Sequence, residues 1–176
     1  MHKSPNKVRP MRELTPEPLT AEAFAPFGKV IEAGDEAVQL HINQGHAIRY
    51  DGLAEIDVAD GEGTGAISLF RARPLAELVL RVFERHPLGS QSFVPLSGRP
   101  YLVAVAPAGA FDPAKIRLFR AEGNQGVHYC KGTWHHFLLV LEADSDFLVI
   151  DRAGPGDNCD EIALGSDDEV RVRPGP

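Results

Sequence analysis

Apolar and polar positions in this chain alternate in short runs and do not recur at helical spacing. The longest alternation covers residues 78–86. Leu78, Leu80, Val82, Glu84 and His86 share one face, and Val79, Arg81, Phe83 and Arg85 share the other. Successive side chains of a strand point to opposite sides, so this pattern predicts a strand with a carboxylate and an imidazole continuing its apolar, inward face. Further strands are predicted over 30–32, 66–70, 92–96, 101–106, 117–121, 134–141 and 146–151, with Gly, Pro, Asn and Asp between them. One short helix is predicted over 21–25, with Thr20 as its cap and Pro26 and Gly28 ending it. No repeat at a fixed period is present. Many short strands and few short helices predict a mainly β sandwich or barrel.

At 176 residues the chain is expected to form one domain. The strand-rich part runs over 19–164. Residues 1–18, with Lys3, Lys7, Arg9 and Arg12 among Pro5, Pro10, Pro16 and Pro18, read as a loosely attached arm, and 165–176 as a charged tail. The composition is 43% hydrophobic and 24% charged, as in soluble globular proteins. Lys and Arg total 18 against 25 Asp and Glu, a net charge of −7. That balance disfavours nucleic acid as a partner, and any anionic ligand must be captured by local cations in a cavity. No apolar run is long enough to span a membrane, and the basic start has no apolar stretch to make it a secretion signal. Two cysteines, Cys130 and Cys159, make no disulfide framework, so a cytoplasmic location is expected.

Two segments carry the chemistry. The first reads E-x-H-x4-Q-x6-G, from Glu84 through His86 and Gln91 to Gly98. The second is Gly132-Thr133-Trp134-His135-His136. A small barrel can close Glu84, His86, Gln91 and His135 around one cavity. Two imidazoles, a carboxylate and an amide could hold a divalent metal, or Glu84, His86 and His135 could move protons without one. Lys131 precedes the second segment and could reach the cavity mouth. Arg71, Arg49 and Arg85 are candidates for clamping a carboxylate, because a guanidinium pairs with one through two hydrogen bonds. Arg85 is the weaker choice, since its parity points it away from Glu84. Nothing marks Cys130 as a nucleophile. The Asp146–Arg152 block reads as turn capping with an Asp–Arg pair locking a loop, or as a lid or dimer contact.

The two segments resemble the half-motifs of cupins, with the four ligand positions on Glu84, His86, Gln91 and His135. Leu78, Asn124 and Cys130 depart from the Gly, Gly and Pro of those motifs. The resemblance narrows with Glu84-Arg85-His86-Pro87-Leu88-Gly89, Gln91-x-Phe93-x-Pro95, Gly123-x-Gln125-Gly126-Val127-x-Tyr129, Trp134-His135-His136 and Asp146-Phe147-Leu148-x-Ile150-Asp151-Arg152. Together these are similar to the ureidoglycolate lyase family, from about Leu19 to Ile162. The resemblance implies a cupin-like double-stranded β-helix, or jelly-roll, barrel, usually a homodimer. It implies elimination of urea from ureidoglycolate to give glyoxylate in allantoin breakdown. Glu84, His86 and His135 would be catalytic, with Gln91, Lys131 and Arg71 or Arg85 on the substrate. It leaves open a divalent metal, nickel or similar, and implies no organic cofactor. The residues alone also allow a non-catalytic cupin that binds a small carboxylate, or a metal-dependent isomerase or oxygenase.

Overall fold

The structure is a computed structural model that describes residues 11–173. Its strands in chain order are β1 (Arg12–Leu14), β2 (Glu17–Pro18), β3 (Gly28–Ile31), β4 (Val38–Ile42), β5 (Ala47–Asp51), β6 (Thr64–Ala72), β7 (Val79–Leu80), β8 (Val82–Arg85) and β9 (Gln91–Pro95). They continue as β10 (Tyr101–Ala106), β11 (Arg117–Ala121), β12 (Gly126–Tyr129), β13 (Trp134–His135), β14 (Leu139–Val140), β15 (Ser145–Ala153), β16 (Asp160–Ala163) and β17 (Val170–Val172). The one α-helix among the described residues, α1 (Ala21–Phe24), begins where the sequence predicts it: the Thr20 hydroxyl accepts from the Ala23 amide at 3.2 Å.

Two large sheets face each other. One has the order β16-β8-β13-β10-β11-β2 with β14 beside β10, and the other the order β3-β12-β9-β15-β6. From β8 to β16 the chain passes back and forth between them, pairing β8 with β13 and β16, and β9 with β12 and β15, all antiparallel. This alternation of antiparallel pairs is the coiling of a double-stranded β-helix, so the fold is mainly β and cupin-like. Phe24, Phe27, Tyr101, Val103, Phe119, Val127 and Phe147 fill the space between the sheets. Each such fully buried side chain is worth about 1.5–3 kcal/mol relative to exposure.

The first sheet is covered on both sides, which explains why every residue of β10 is buried. Its outer face packs Leu102, Ala104, Phe83 and Trp134 against Leu80, Val170 and Val172. Those last three belong to a third sheet, of order β1-β17-β7.

The third sheet corrects two expectations. The alternating run over 78–86 is two strands that break at Arg81, where the chain leaves β7 in the third sheet for β8 in the first. Leu80 and Phe83, of opposite parity, therefore share one core, and Glu84 shares its face with Val82 but not with Leu80. Likewise, the described part of the predicted arm is not loose. Residues 12–14 pair in parallel with 170–172 of the predicted tail, and Glu17–Pro18 pair with β11. The Arg117 guanidinium donates to both Glu17 carboxylate oxygens at 2.9 and 2.7 Å, fixing β2 in place. Residues 1–10 of that arm and 174–176 of the tail lie outside the described residues.

Strands β4 and β5 form a separate two-stranded hairpin that the sequence reading did not assign. Val38, Leu40, Ile42 and Ile48 are exposed on it.

Candidate active site

The barrel interior places the predicted catalytic residues together. Glu84 lies opposite His135 across the β8–β13 pair, and His135 lies opposite Val105 of the inner core, so all three point between the two large sheets. His86 follows β8, and its backbone carbonyl accepts from the Gly132 amide at 3.0 Å, which ties the two segments together. One ligand atom from each of Glu84, His86 and His135 falls within a cluster 4.8 Å across. Glu84 Oε1 stands 4.0 Å from His86 Nε2 and 3.8 Å from His135 Nδ1. Gln91 enters from β9, opposite Tyr129.

Orientation follows from the outer hydrogen bonds. His86 Nδ1 lies 2.6 Å from the Asn158 carbonyl oxygen. A carbonyl can only accept, so the proton sits on Nδ1 and the Nε2 lone pair faces the cavity. The Asn158 side-chain oxygen accepts from the Leu88 amide at 2.7 Å, locking the same loop. Arg152 holds that loop to the 60–61 turn: Nε donates to the Asp60 carbonyl, and Nη2 to those of Gly61 and Pro155, at 2.7–2.9 Å. The expected Asp–Arg lock is thus an Arg–carbonyl lock. His135 is stacked on Tyr129, ring centroids 4.4 Å apart and planes within 9°.

Burial sets the charges. It pushes the Glu84 carboxyl above its usual value. It pushes His135 down to about 3, with the neighbouring His86 adding to the effect, so His135 is neutral under ordinary conditions. His86 Nε2, His135 Nε2 and Gln91 Oε1 are buried and make no hydrogen bond within the structure. Buried polar atoms without partners on His86, His135 and Gln91 mark a place for a ligand. The same nitrogen and oxygen donors fit a divalent cation.

The cluster sits between two openings. One, of about 520 Å³, is lined by Phe70, Arg71, Arg73, Glu84, Phe93 and Phe137. The other, of about 300 Å³, is polar and lined by His86, Ser90, Gln91, Asp151, Asn158 and Cys159, among others. Cys159 Sγ lies 3.9 Å from Glu84 Oε2.

The remaining predicted binders are placed differently. Arg71 lines the first opening, with its guanidinium bidentate to Asp146 at 2.6 and 2.8 Å. Arg85 points away from Glu84, as its parity indicated; it binds Asp160 and the Gly109 carbonyl and lies over Trp134. Lys131 is held by Asp57 and Asp60 at 2.9 and 2.6 Å, beside a separate depression that Cys130 also lines. Arg49 is on the separate hairpin, paired with Asp51 at 2.5 Å. His136 is buried, and its ring meets Phe83 edge-on at 5.8 Å.

Three residues at the site were missed by the sequence reading: Asp151, Asn158 and Tyr129. For Asp151 a signal existed. Phe147 and Val149 alternate inward along β15, and Asp151 is next on that face.

A family model described as ureidoglycolate lyase matches residues 11–172. A ureidoglycolate lyase of Stutzerimonas stutzeri is 50% identical over 166 residues, 93% of this chain and 97% of that protein. One from Burkholderia mallei is 53% identical over 155 residues, covering 88% and 91%. One from Pseudomonas syringae pv. tomato is 48% identical over 168 residues, covering 94% and 98%.

Proposed function

The chain belongs to the ureidoglycolate lyase family, and from this we infer that it is an enzyme that eliminates urea from ureidoglycolate and leaves glyoxylate. The observation that carries the site assignment is the enclosed Glu84–His86–His135 cluster with its unpartnered imidazole nitrogens.

The reacting carbon bears a hydroxyl, a carboxylate and the ureido nitrogen. Elimination needs a base for the hydroxyl proton and an acid for the departing nitrogen, each transfer typically worth about 10²–10⁴-fold. His86 is the base, because its Nδ1–H is committed to Asn158 and its Nε2 lone pair faces the cavity. Glu84 is the acid, because burial favours its protonated form. His135 is the most enclosed of the three and, backed by Tyr129, positions Glu84 from behind. Arg71 binds the substrate carboxylate at the first opening. Its pair with Asp146 is exposed, and such pairs exchange partners at little cost. Glu84, His86 and His135, with Gln91 beside them, would also hold a divalent cation. When bound it would polarise the substrate's oxygens.

The protein acts as a homodimer. Supporting this, Ile67 and Leu69 are 73% and 69% exposed on edge strand β6, and the β4–β5 hairpin presents further apolar side chains. A long apolar edge and a lone hairpin are both poorly stable in water without a partner. Among the described residues no helix is long and apolar enough to cross a membrane. Free, exposed Cys130 and Cys159 suit the reducing cytoplasm.

The test is replacement of each imidazole. His86→Ala and His135→Ala should each abolish turnover while circular dichroism shows a folded protein. Near-normal rates in both would overturn the assignment.

A further inference from the structure

Gln91 sits on β9 at the inner wall, 6% exposed. Its Nε2 donates to Asp151 Oδ2 at 3.4 Å. A carboxylate can only accept, so the amide must turn its NH₂ toward Asp151 and its carbonyl elsewhere. That carbonyl oxygen, Oε1, is fully buried and receives no hydrogen bond. Among the described residues Asp151 makes no ion pair, and Gln91 is the donor to its carboxylate. The polar cavity beside His86 is therefore lined, on adjacent strands, by one buried acceptor without a donor, Gln91 Oε1, and by a carboxylate whose side-chain donor is that same amide.

We propose that Gln91 and Asp151 form the subsite that reads the terminal NH₂ of the ureido group, and so set both substrate orientation and specificity. This rests on the lyase activity inferred above. A terminal NH₂ carries two N–H donors, one for Gln91 Oε1 and one for Asp151. The substrate's carboxylate is disfavoured there by Asp151, because Arg152, which also lines the cavity, spends its guanidinium on three backbone carbonyls; the inner ureido N–H offers one donor where two acceptors stand, and the single hydroxyl is required at the base. The ureido end then lies in the polar cavity, the carboxylate lies toward Arg71 at the other opening, and the reacting carbon falls between them at Glu84 and His86. An acyl group without the NH₂ leaves Gln91 Oε1 with no donor and Asp151 with the Gln91 amide alone, and a site built to bond an N–H rejects an analogue that lacks it.

The experiment compares ureidoglycolate with N-acetyl-α-hydroxyglycine, in which a methyl replaces the terminal NH₂, by glyoxylate release. Wild type, Asp151→Asn and Gln91→Met are measured on both. Wild type should prefer the ureido substrate by about 10⁴-fold in kcat/KM. Each variant should narrow that ratio by about 100-fold, chiefly through ureidoglycolate. The ratio is internal to each preparation, so partial misfolding cancels from it. A ratio unchanged in both variants, with wild type turning over ureidoglycolate, overturns the subsite alone. If wild type releases no glyoxylate from ureidoglycolate, the activity itself is wrong and the subsite falls with it.

Discussion

Replacing Asn158 with alanine separates orientation of the His86 ring, the proposed base, from stability of the fold. The Asn158 carbonyl holds the His86 ring, and the side chain of the same residue anchors the loop by accepting from the Leu88 amide at 2.7 Å. Alanine keeps the carbonyl and removes the anchor. The Leu88 amide is partly buried, so losing one neutral hydrogen bond should cost about 1 kcal/mol. For a chain of this size that lowers Tm by about 2–4 °C. The three Arg152 bonds to backbone carbonyls remain and keep the loop from unfolding. Turnover is more sensitive, because a shift of about 1 Å in a reacting group can cost 100-fold. The expectation for Asn158→Ala is a kcat lower by about 10–100-fold with a small change in KM. Thermal melting by circular dichroism and steady-state glyoxylate release measure the two quantities on one preparation. A kcat within twofold of wild type would refute orientation of His86 by this loop. A Tm loss far beyond 4 °C would show instead that the loop holds the barrel together.

Arg71→Ala should raise KM for ureidoglycolate roughly tenfold with little change in Tm, since the Arg71–Asp146 pair is exposed and its charge-assisted bonds are needed only for substrate. An unchanged KM would remove Arg71 from the site. His128 is buried on the outer face of its sheet, hydrogen-bonded to Ser92 at 2.8 Å, and burial lowers its pKa despite the nearby Asp57 charge. The unfolded chain takes up this proton below about 6.5 and the folded chain resists it, so stability is present above that pH and is lost on acidification. Urea denaturation at pH 7 and pH 5 should show a smaller loss for His128→Gln than for wild type, and equal losses would contradict the assignment. A Cβ at Gly28 would sit 1.8 Å from the His128 carbonyl oxygen, so Gly28→Ala must part β3 from β12. It should cost about 3 kcal/mol or more in urea denaturation.

That Glu84, His86 and His135 come together was legible because strand parity is local. Glu84 and Arg85 had to take opposite faces of β8 wherever that strand lay, and they do. Parity failed one step upstream, at Arg81, because the move from the third sheet to the first is decided by pairing with β17, about ninety residues away. The engagements of Arg71, Arg85 and Lys131 were hidden for the same reason. Their partners, Asp146, Asp160 and Asp60, are 75, 75 and 71 residues distant, and charge pairing leaves no periodic trace. The N-terminal strands were masked by proline. Pro16 and Pro18 read as a loose segment, yet β2 is a sheet edge, where proline's missing N–H costs nothing. Asp151 could have been found from the alternation of β15. Asn158 could not, because its role depends on a loop closing over His86.

The most direct test of the central claim is product analysis. Purified wild-type protein would be incubated with ureidoglycolate, and urea, ammonia and glyoxylate quantified separately. The expected result is urea and glyoxylate in equal amounts without ammonia, lost in His86→Ala. Ammonia in place of urea would show hydrolysis of the ureido group, and absence of glyoxylate would contradict lyase activity outright.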